Sequence, residues 1–315
     1  MTEAPVLETI RFTSSRPGPR LLVLGAVHGN ETCGPQAIAR AVAEMRSGSI
    51  ALRRGAVSFV PVANPKAHAQ NTREGDRNLN RDLAERAIPQ DNEDRLGNLL
   101  CPLIRAHDVL LDIHSFRGDG TPFVFAGPED NAGALEPFAH GKAEWALAVR
   151  LGVGTAIHGW LDGYASYLAR RAELGFPLLR PTEGVGTTEY MRFVGGYGMT
   201  LECGTHGDPA GAEIGYAGIR AALAHLGLTD GPLPAVSVTR AICITEALVV
   251  EREGDRIEGA WLTGDPVPKG ALIARRADGT PVAMPNDGFL VFPNRAPKPG
   301  EPLLYLAVAS ERPLA

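Results

Sequence analysis

The chain has 315 residues, enough for a complete α/β core and a second, smaller unit, because domains commonly contain ~100–200 residues. Its 31 basic and 36 acidic residues give a net charge of -5, and no run of Lys or Arg indicates binding to nucleic acid or to an anionic membrane. The first residues lack a signal-peptide pattern, and no apolar run approaches the ~20 residues that span a bilayer. We therefore expect a soluble, cytoplasmic protein with no nucleic-acid or membrane partner.

The first predicted unit is a strand, a loop and a helix. Leu21–Val27 is a short apolar run, Pro35–Met45 has helical periodicity, and the loop between them carries His28 and Glu31. An imidazole and a carboxylate three positions apart at such a junction can face one cation, and the flanking glycines let the backbone approach closely. An isolated HxxE pair is a weak signal, because a surface His beside a capping Glu has the same spacing.

A polar segment follows the second predicted strand, Ala56–Val62. Residues 65–98 are rich in Arg, Asn and Asp with little periodicity, which predicts a long polar loop. The simplest interpretation is a solvated, self-paired charge cluster. In an enzyme that acts beside a substrate carboxylate, however, Asn80 and Arg81 could bind that carboxylate and Arg73 could stabilise a developing oxyanion.

Two later strands end in polar residues. The apolar run Val109–Ile113 leads to His114, and the run Met199–Leu201 leads to Glu202. Helical patterns alternate with these strands, which predicts an α/β fold with a mixed, mainly parallel sheet and helices on both faces. Because ligands bind beyond the carboxyl ends of parallel strands, we expect His28, His114 and Glu202 to meet at one edge.

These residues together predict a catalytic zinc site. His28, Glu31 and His114 would supply three ligands to one Zn²⁺ per chain and leave a fourth position for water. Glu202 is either paired structurally or placed as the general base for that water. Asp112 shares the face of His114 by strand alternation, and it is either an outer partner of that histidine or a buried polar residue.

The sequence changes character after about residue 235. Short β-rich pieces separated by Gly, Pro and Asp turns replace the alternating pattern. We predict two domains, residues 1–235 for the hydrolase domain and residues 236–315 for a small all-β domain.

Five motifs occur in order across about residues 20–206. They are GxxHGNE at Gly25–Glu31, Asn64-Pro65 with Ala67, Arg73 with Asn80-Arg81, Asp112-Ile113-His114, and Leu201-Glu202-Cys203-Gly204. With these motifs the chain resembles the succinylglutamate desuccinylase/aspartoacylase family, within the wider zinc carboxypeptidase clan. The resemblance implies a zinc-binding α/β domain followed by a β-rich domain that borders the active site, with the same residue roles as those predicted above.

The chain departs from this family at a few positions. Many members have an acidic residue where this chain has Asn78, and Asp76 is the candidate to compensate. The extra basic residue that aspartoacylases use for a second substrate carboxylate has no clear counterpart in this sequence. Arg180 and Arg192 are the candidates.

The predicted function is therefore a zinc-dependent amidohydrolase that removes an acyl group from an N-acyl amino acid or a similar small amide bearing a carboxylate. Two alternatives remain at this stage: a metallocarboxypeptidase acting on short peptides, and a non-catalytic ligand-binding member. Serine-nucleophile chemistry is disfavoured because no Gly-x-Ser-x-Gly motif occurs. The sequence leaves open whether the chain forms a homo-oligomer.

Overall fold

The computed structural model describes residues 5–118 and 120–314. Its helices are α1 Cys33–Ser47, α2 Pro65–Gln70, α3 Asn92–Arg105, α4 Gly141–Ala148, α5 Trp160–Glu173, α6 Thr187–Phe193 and α7 Pro209–His225, with a 3-10 helix at Pro181–Gly184. Its strands are β1 Ile10–Thr13, β2 Arg20–Gly25, β3 Ala56–Val60, β4 Val109–Phe116, β5 Phe123–Phe125, β6 Thr155–His158, β7 Tyr197–Thr205, β8 Arg240–Val249, β9 Arg256–Ile257, β10 Pro266–Val267, β11 Leu272–Arg275, β12 Pro281–Ala283, β13 Gly288–Val291 and β14 Pro302–Ala309.

A large mixed sheet forms the centre of the molecule. Its strand order is β1-β3-β2-β4-β7-β5-β6-β8-β14-β13-β10. The pairs β3–β2, β2–β4, β4–β7, β5–β6 and β6–β8 are parallel, whereas β5–β7 and the outer pairs are antiparallel. The predicted fold class, a mixed and mainly parallel sheet in an α/β protein, is confirmed.

Helices cover both faces of this sheet, and successive side chains of β2 point alternately to the two faces. Leu21 and Val23 pack with residues of α1 and α7 in one apolar cluster, whereas Leu22 and Leu24 pack with residues of α3 in another. Burial of each such side chain contributes ~1.5–3 kcal/mol to stability. The two clusters fix the position of the strand, and so of the loop that follows it.

The segment predicted as one polar loop contains helical residues at both ends. Asn64 caps α2 by accepting a hydrogen bond from the backbone N–H of Ala67, and Pro65 occupies its first turn. Asp91 caps α3 by accepting from the N–H of Asp94. The prediction was wrong for residues 65–70 and 92–98, because capping needs few apolar residues and leaves little periodicity to detect.

The C-terminal residues extend the large sheet. β8 pairs in parallel with β6, and β14, β13 and β10 follow it, while β9, β11 and β12 form a separate three-stranded sheet. The division of the chain at residue 235 stays a prediction. In the part of the chain that the structure describes, no helix has both the length and the apolar character to cross a membrane.

Candidate metal and active site

The predicted site residues come from neighbouring parallel strands. His28 and Glu31 lie in the loop after β2, while His114 on β4 is directly opposite Glu202 on β7 in the sheet register. All four side chains are buried, with exposed fractions between 1% for Glu31 and 7% for Glu202. The structure therefore brings together the residues that the strand ends suggested.

Close backbone packing shapes the loop that carries His28. A Cβ atom on Gly29 would lie 2.0 Å from the carbonyl carbon of Ala67, so only glycine fits against α2. Ala26 has a φ of 46°, which turns the chain sharply at the end of β2. The loop is thus held by the packing of its own backbone.

His28, Glu31 and His114 form a compact cluster that could hold a metal ion. Nδ1 of His28 lies 2.9 Å from Oε1 of Glu31, and Nδ1 of His114 lies 2.9 Å from Oε2 of the same carboxylate. The two Nδ1 atoms are 3.2 Å apart. One nitrogen from each ring and one carboxylate thus point at a common centre.

The residues that contact His28 and His114 on the side away from Glu31 indicate which ring nitrogen carries the proton. Nε2 of His28 lies 3.0 Å from the side-chain oxygen of Asn78, which favours a proton on Nε2. Nε2 of His114 lies 2.9 Å from Oδ2 of Asp112, although it is not aligned for a hydrogen bond, and this carboxylate also favours a proton there. Both Nδ1 lone pairs then face the Glu31 carboxylate, and such an acceptor-only set fits a cation.

The pKa shifts of the cluster reflect its burial and its charges. Burial lowers the pKa of His28 to about 4, so this ring is neutral and able to bind a metal at neutral pH. Burial also lowers the pKa of His114, but the carboxylates of Asp112 and Glu31 outweigh it and raise that pKa well above its usual value. Burial raises the pKa of Glu31, and the opposing effect of the two histidines lowers it overall. Two carboxylates at one buried ring are an environment that a cation would stabilise.

Glu202 lies beside this cluster with a free oxygen. Its Oε2 is buried and has no hydrogen-bond partner within the described residues. Burial raises its pKa to about 8; the charge of His114 opposes this shift and that of Glu31 adds to it. A carboxyl group with a raised pKa and an unpaired oxygen can exchange protons with a bound molecule.

Arg73 reaches the site from the polar loop. Its Nη1 donates to Oε1 of Glu31 at 3.2 Å, and 43% of its side chain is exposed, facing the cavity described below. One carboxylate therefore contacts both the arginine and the two histidines. The remaining guanidinium donors are free to meet an oxygen of a bound molecule.

Asn80 and Arg81 also line the cavity, and other contacts hold them in place. The Asn80 side-chain oxygen accepts from the N–H of Thr187 at 2.9 Å. The Arg81 guanidinium lies 4.9 Å from the ring centre of Trp160 and 5.5 Å from that of Tyr164. It forms no ion pair with any side chain in residues 5–118 and 120–314, which leaves it able to bind an anion.

One cavity of about 590 Å³ connects these groups. This volume is within the range that holds small organic ligands. Both residues before position 235 and residues beyond it line the cavity. The N-terminal lining includes His28, Arg73, Asn80, Arg81, His114, Phe125, Trp160 and Glu202, and the C-terminal lining includes Trp261, Thr263, Phe292, Arg295 and Tyr305.

The structure resolves the departures noted in the sequence. Asn78 itself contacts His28, whereas Asp76 pairs with Lys66 and accepts a backbone N–H from Asn92. Asp76 therefore does not compensate for the missing acidic residue at position 78. Arg180 pairs with Asp82 at 2.6 Å.

Arg192 lines the cavity but is neutralised where it stands. Its side chain is 2% exposed, and its guanidinium pairs with Glu144 at 3.0 Å, Glu136 at 2.8 Å and Glu189 at 3.2 Å. Three carboxylates on one guanidinium leave no positive charge for a substrate. Both guesses for a second substrate carboxylate, Arg180 and Arg192, are thus engaged elsewhere.

Sequence reasoning missed Glu93, a fully buried carboxylate at the start of α3. Its two oxygens accept backbone N–H groups of Gly75, Asp76 and Arg77 at 3.1, 3.0 and 3.2 Å, and the side-chain amide of Asn64 at 2.9 Å. Glu93 thereby fixes the loop between Arg73 and Asn80. Its position in the first turn after a capping Asp was the available signal.

The fold and the site define an α/β protein with a buried histidine–glutamate–histidine cluster at the carboxyl edge of its parallel strands. Residues 17–126 match the sequence model of the succinylglutamate desuccinylase/aspartoacylase catalytic domain. The predicted resemblance to this family is confirmed. The matched range contains every predicted site residue except Glu202, and no curated protein sequence matches the chain significantly.

Solved structures extend the similarity of fold over nearly the whole chain. A succinylglutamate desuccinylase/aspartoacylase from Rhodobacter sphaeroides is 20% identical, with a TM-score of 0.71 over 96% of this chain and 90% of that one. The product-bound ectoine utilization protein EutE (DoeB) from Ruegeria pomeroyi is 23% identical, with a TM-score of 0.69 over 95% and 88%. An aspartoacylase family protein from Mesorhizobium loti is 20% identical, with a TM-score of 0.68 over 97% and 90%. At these identities the likeness shows the fold.

Proposed function

We propose that the protein is a zinc-dependent amidohydrolase that removes the acyl group from an N-acyl amino acid or a similar small amide bearing a carboxylate. The observation that carries this proposal is the set of inward-facing acceptors on His28, Glu31 and His114, with the unpaired oxygen of Glu202 beside it. A two-histidine, one-carboxylate set is a donor set of catalytic zinc in hydrolases.

His28, Glu31 and His114 would hold the metal through Nδ1, a carboxylate oxygen and Nδ1 respectively. Zinc bound there would act as a Lewis acid and lower the pKa of a water toward ~7. Asn78 and Asp112 would keep the two imidazole rings in the required orientation.

The remaining residues supply proton transfer and binding. Oε2 of Glu202 accepts a proton from the attacking water and then delivers it to the leaving nitrogen, so that one amide and one water give a carboxylate and an amine. Arg73 donates to the carbonyl oxygen as negative charge develops on it. Arg81, stacked on Trp160, binds the substrate carboxylate. Asn80 accepts a hydrogen bond from the backbone N–H of Thr187 and so fixes that segment beside the site.

The comparisons support this choice of reaction. The matched family model describes a desuccinylase and aspartoacylase catalytic domain, and the similar structures include proteins with these names. The residues beyond 235 that line the cavity support the predicted role of the segment 236–315 as a border of the active site.

A hydrolysis panel tests the proposal. The zinc-loaded full chain is offered N-acetyl and N-succinyl amino acids beside dipeptides and tripeptides. The proposal expects amide hydrolysis of N-acyl amino acids that is lost on chelation and restored by zinc. Preferential cleavage of peptides would indicate a carboxypeptidase instead, and stable binding without turnover in the metal-loaded protein would indicate a non-catalytic member.

A further inference from the structure

An aromatic wall borders the carboxylate-binding side of the cavity. The ring of Phe125 lies 6.0 Å from that of Trp160 and 5.6 Å from that of Phe292, and Trp160 lies 5.6 Å from Tyr305. All four line the cavity. Trp160 donates its indole N–H to the carbonyl oxygen of Gly184 at 2.9 Å, so its polar atom is already satisfied and the ring presents apolar surface.

The backbone of Phe292 is held in an unusual conformation. Its φ is 51°, in the left-handed region that bulky residues rarely adopt, and its N–H donates to the hydroxyl of Thr263 at 3.0 Å. Such outliers persist where the surrounding structure fixes them, and they concentrate at functional sites. Here the conformation brings an aromatic ring to the cavity directly after β13.

Arg81 relates this wall to the substrate. Because its guanidinium stacks on Trp160, a carboxylate bound to Arg81 places the neighbouring carbon, and the side chain it carries, close to the aromatic rings. Arg192, which also lines the cavity, offers no free charge, because it forms ion pairs with three glutamates. An acidic substrate side chain placed against the aromatic rings would gain no ion pair from Arg192.

We propose that Phe125, Trp160 and Phe292 form a subsite for an aromatic side chain, so that the substrate is the N-acyl derivative of an aromatic amino acid. This inference rests on the proposed function, because it places the amino-acid carboxylate at Arg81. Offset-stacked and edge-to-face contacts with three rings would select an aromatic group over a small or an acidic one.

The test separates binding from turnover. N-acetyl and N-succinyl derivatives of phenylalanine, alanine and aspartate are titrated calorimetrically into the zinc-loaded Glu202→Gln protein, and kcat/KM is measured for the wild type. We expect the phenylalanine compounds to bind at least about tenfold more tightly than the aspartate compounds. Phe292→Ala should remove most of that advantage. If the alanine variant does not fold, Phe292→Leu replaces it in the same measurement. Phe193→Ala, at a ring outside the cavity, should leave the advantage intact.

Equal or weaker binding of the phenylalanine compounds, or an advantage that survives in a folded Phe292 variant, overturns the inference. If the amides are hydrolysed and aspartate is preferred, only the subsite fails, and Arg117 and Arg295, which also line the cavity, become candidates for the second carboxylate. If phenylalanine compounds bind best but no amide is hydrolysed, the subsite stands and the proposed function fails.

Discussion

At the scale of single residues, Glu202 is the group whose surroundings most clearly separate a chemical role from a structural one. A structural carboxylate at a strand end would be paired, yet Oε2 of Glu202 is buried without a hydrogen-bond partner among the described residues. The neighbouring His114 and Glu31 change its proton affinity in opposite directions.

Replacement of Glu202 by Gln should lower kcat by ~10²–10⁴-fold and leave zinc binding unchanged, because the amide cannot accept a proton. Wild-type activity should rise with pH along an acid limb, since the raised pKa of about 8 means that the carboxylate form grows as pH increases. A bound cation lowers the pKa of Glu202 and so moves this acid limb below pH 8. Glu202→Gln should lack the limb. The exposed Glu246→Gln is the control, and normal turnover by Glu202→Gln with zinc bound would refute the role.

Asn78 provides a second test at this scale, because its side-chain oxygen is a partner of His28 on the side away from the metal cluster. Asn78→Ala should weaken zinc affinity by ~10–100-fold, and Asn78→Asp, which keeps an acceptor there, should restore it. Competition with a chromogenic chelator measures both. Equal affinities of the wild type and the alanine variant would show that Asn78 does not orient the ring.

At the scale of elements, the polar loop is ordered by a helix rather than by its own charges. Glu93 on α3 accepts three consecutive backbone N–H groups of this loop. The loop therefore presents Arg73 and Asn80 from a fixed backbone, although its sequence favoured a solvated cluster. A pattern of local charges does not reveal a buried carboxylate that arrives from the next helix.

Replacement of Glu93 by Ala should lower the free energy of unfolding by at least about 3 kcal/mol, because several buried N–H groups lose their acceptor. It should also reduce turnover, since the loop that carries Arg73 loosens. Chemical denaturation and kcat/KM measure the two effects. Glu173→Ala, on the exposed surface of α5, should change stability by less than about 0.5 kcal/mol, and equal effects of both changes would contradict the role of Glu93.

At the scale of the whole molecule, the features that could be predicted are those that a short segment of sequence displays. Apolar runs that end in His114 and Glu202 placed both residues at one sheet edge, because parallel strands share that edge. The helices α2 and α5 had no such signal. The neutralisation of Arg192 by three glutamates and the contacts of Phe125 with Trp160 and Phe292 depend on long-range packing, which one sequence does not display.

Titration of zinc into the chelator-treated protein tests the central claim most directly. Bound metal and hydrolysis of an N-acyl amino acid are followed together for the wild type and for His114→Ala. The account predicts that wild-type activity rises linearly to a plateau at one zinc per chain, and that the variant binds little zinc and stays inactive. Activity that is unaffected by chelation, or one tightly bound zinc per chain in folded His114→Ala, would contradict it.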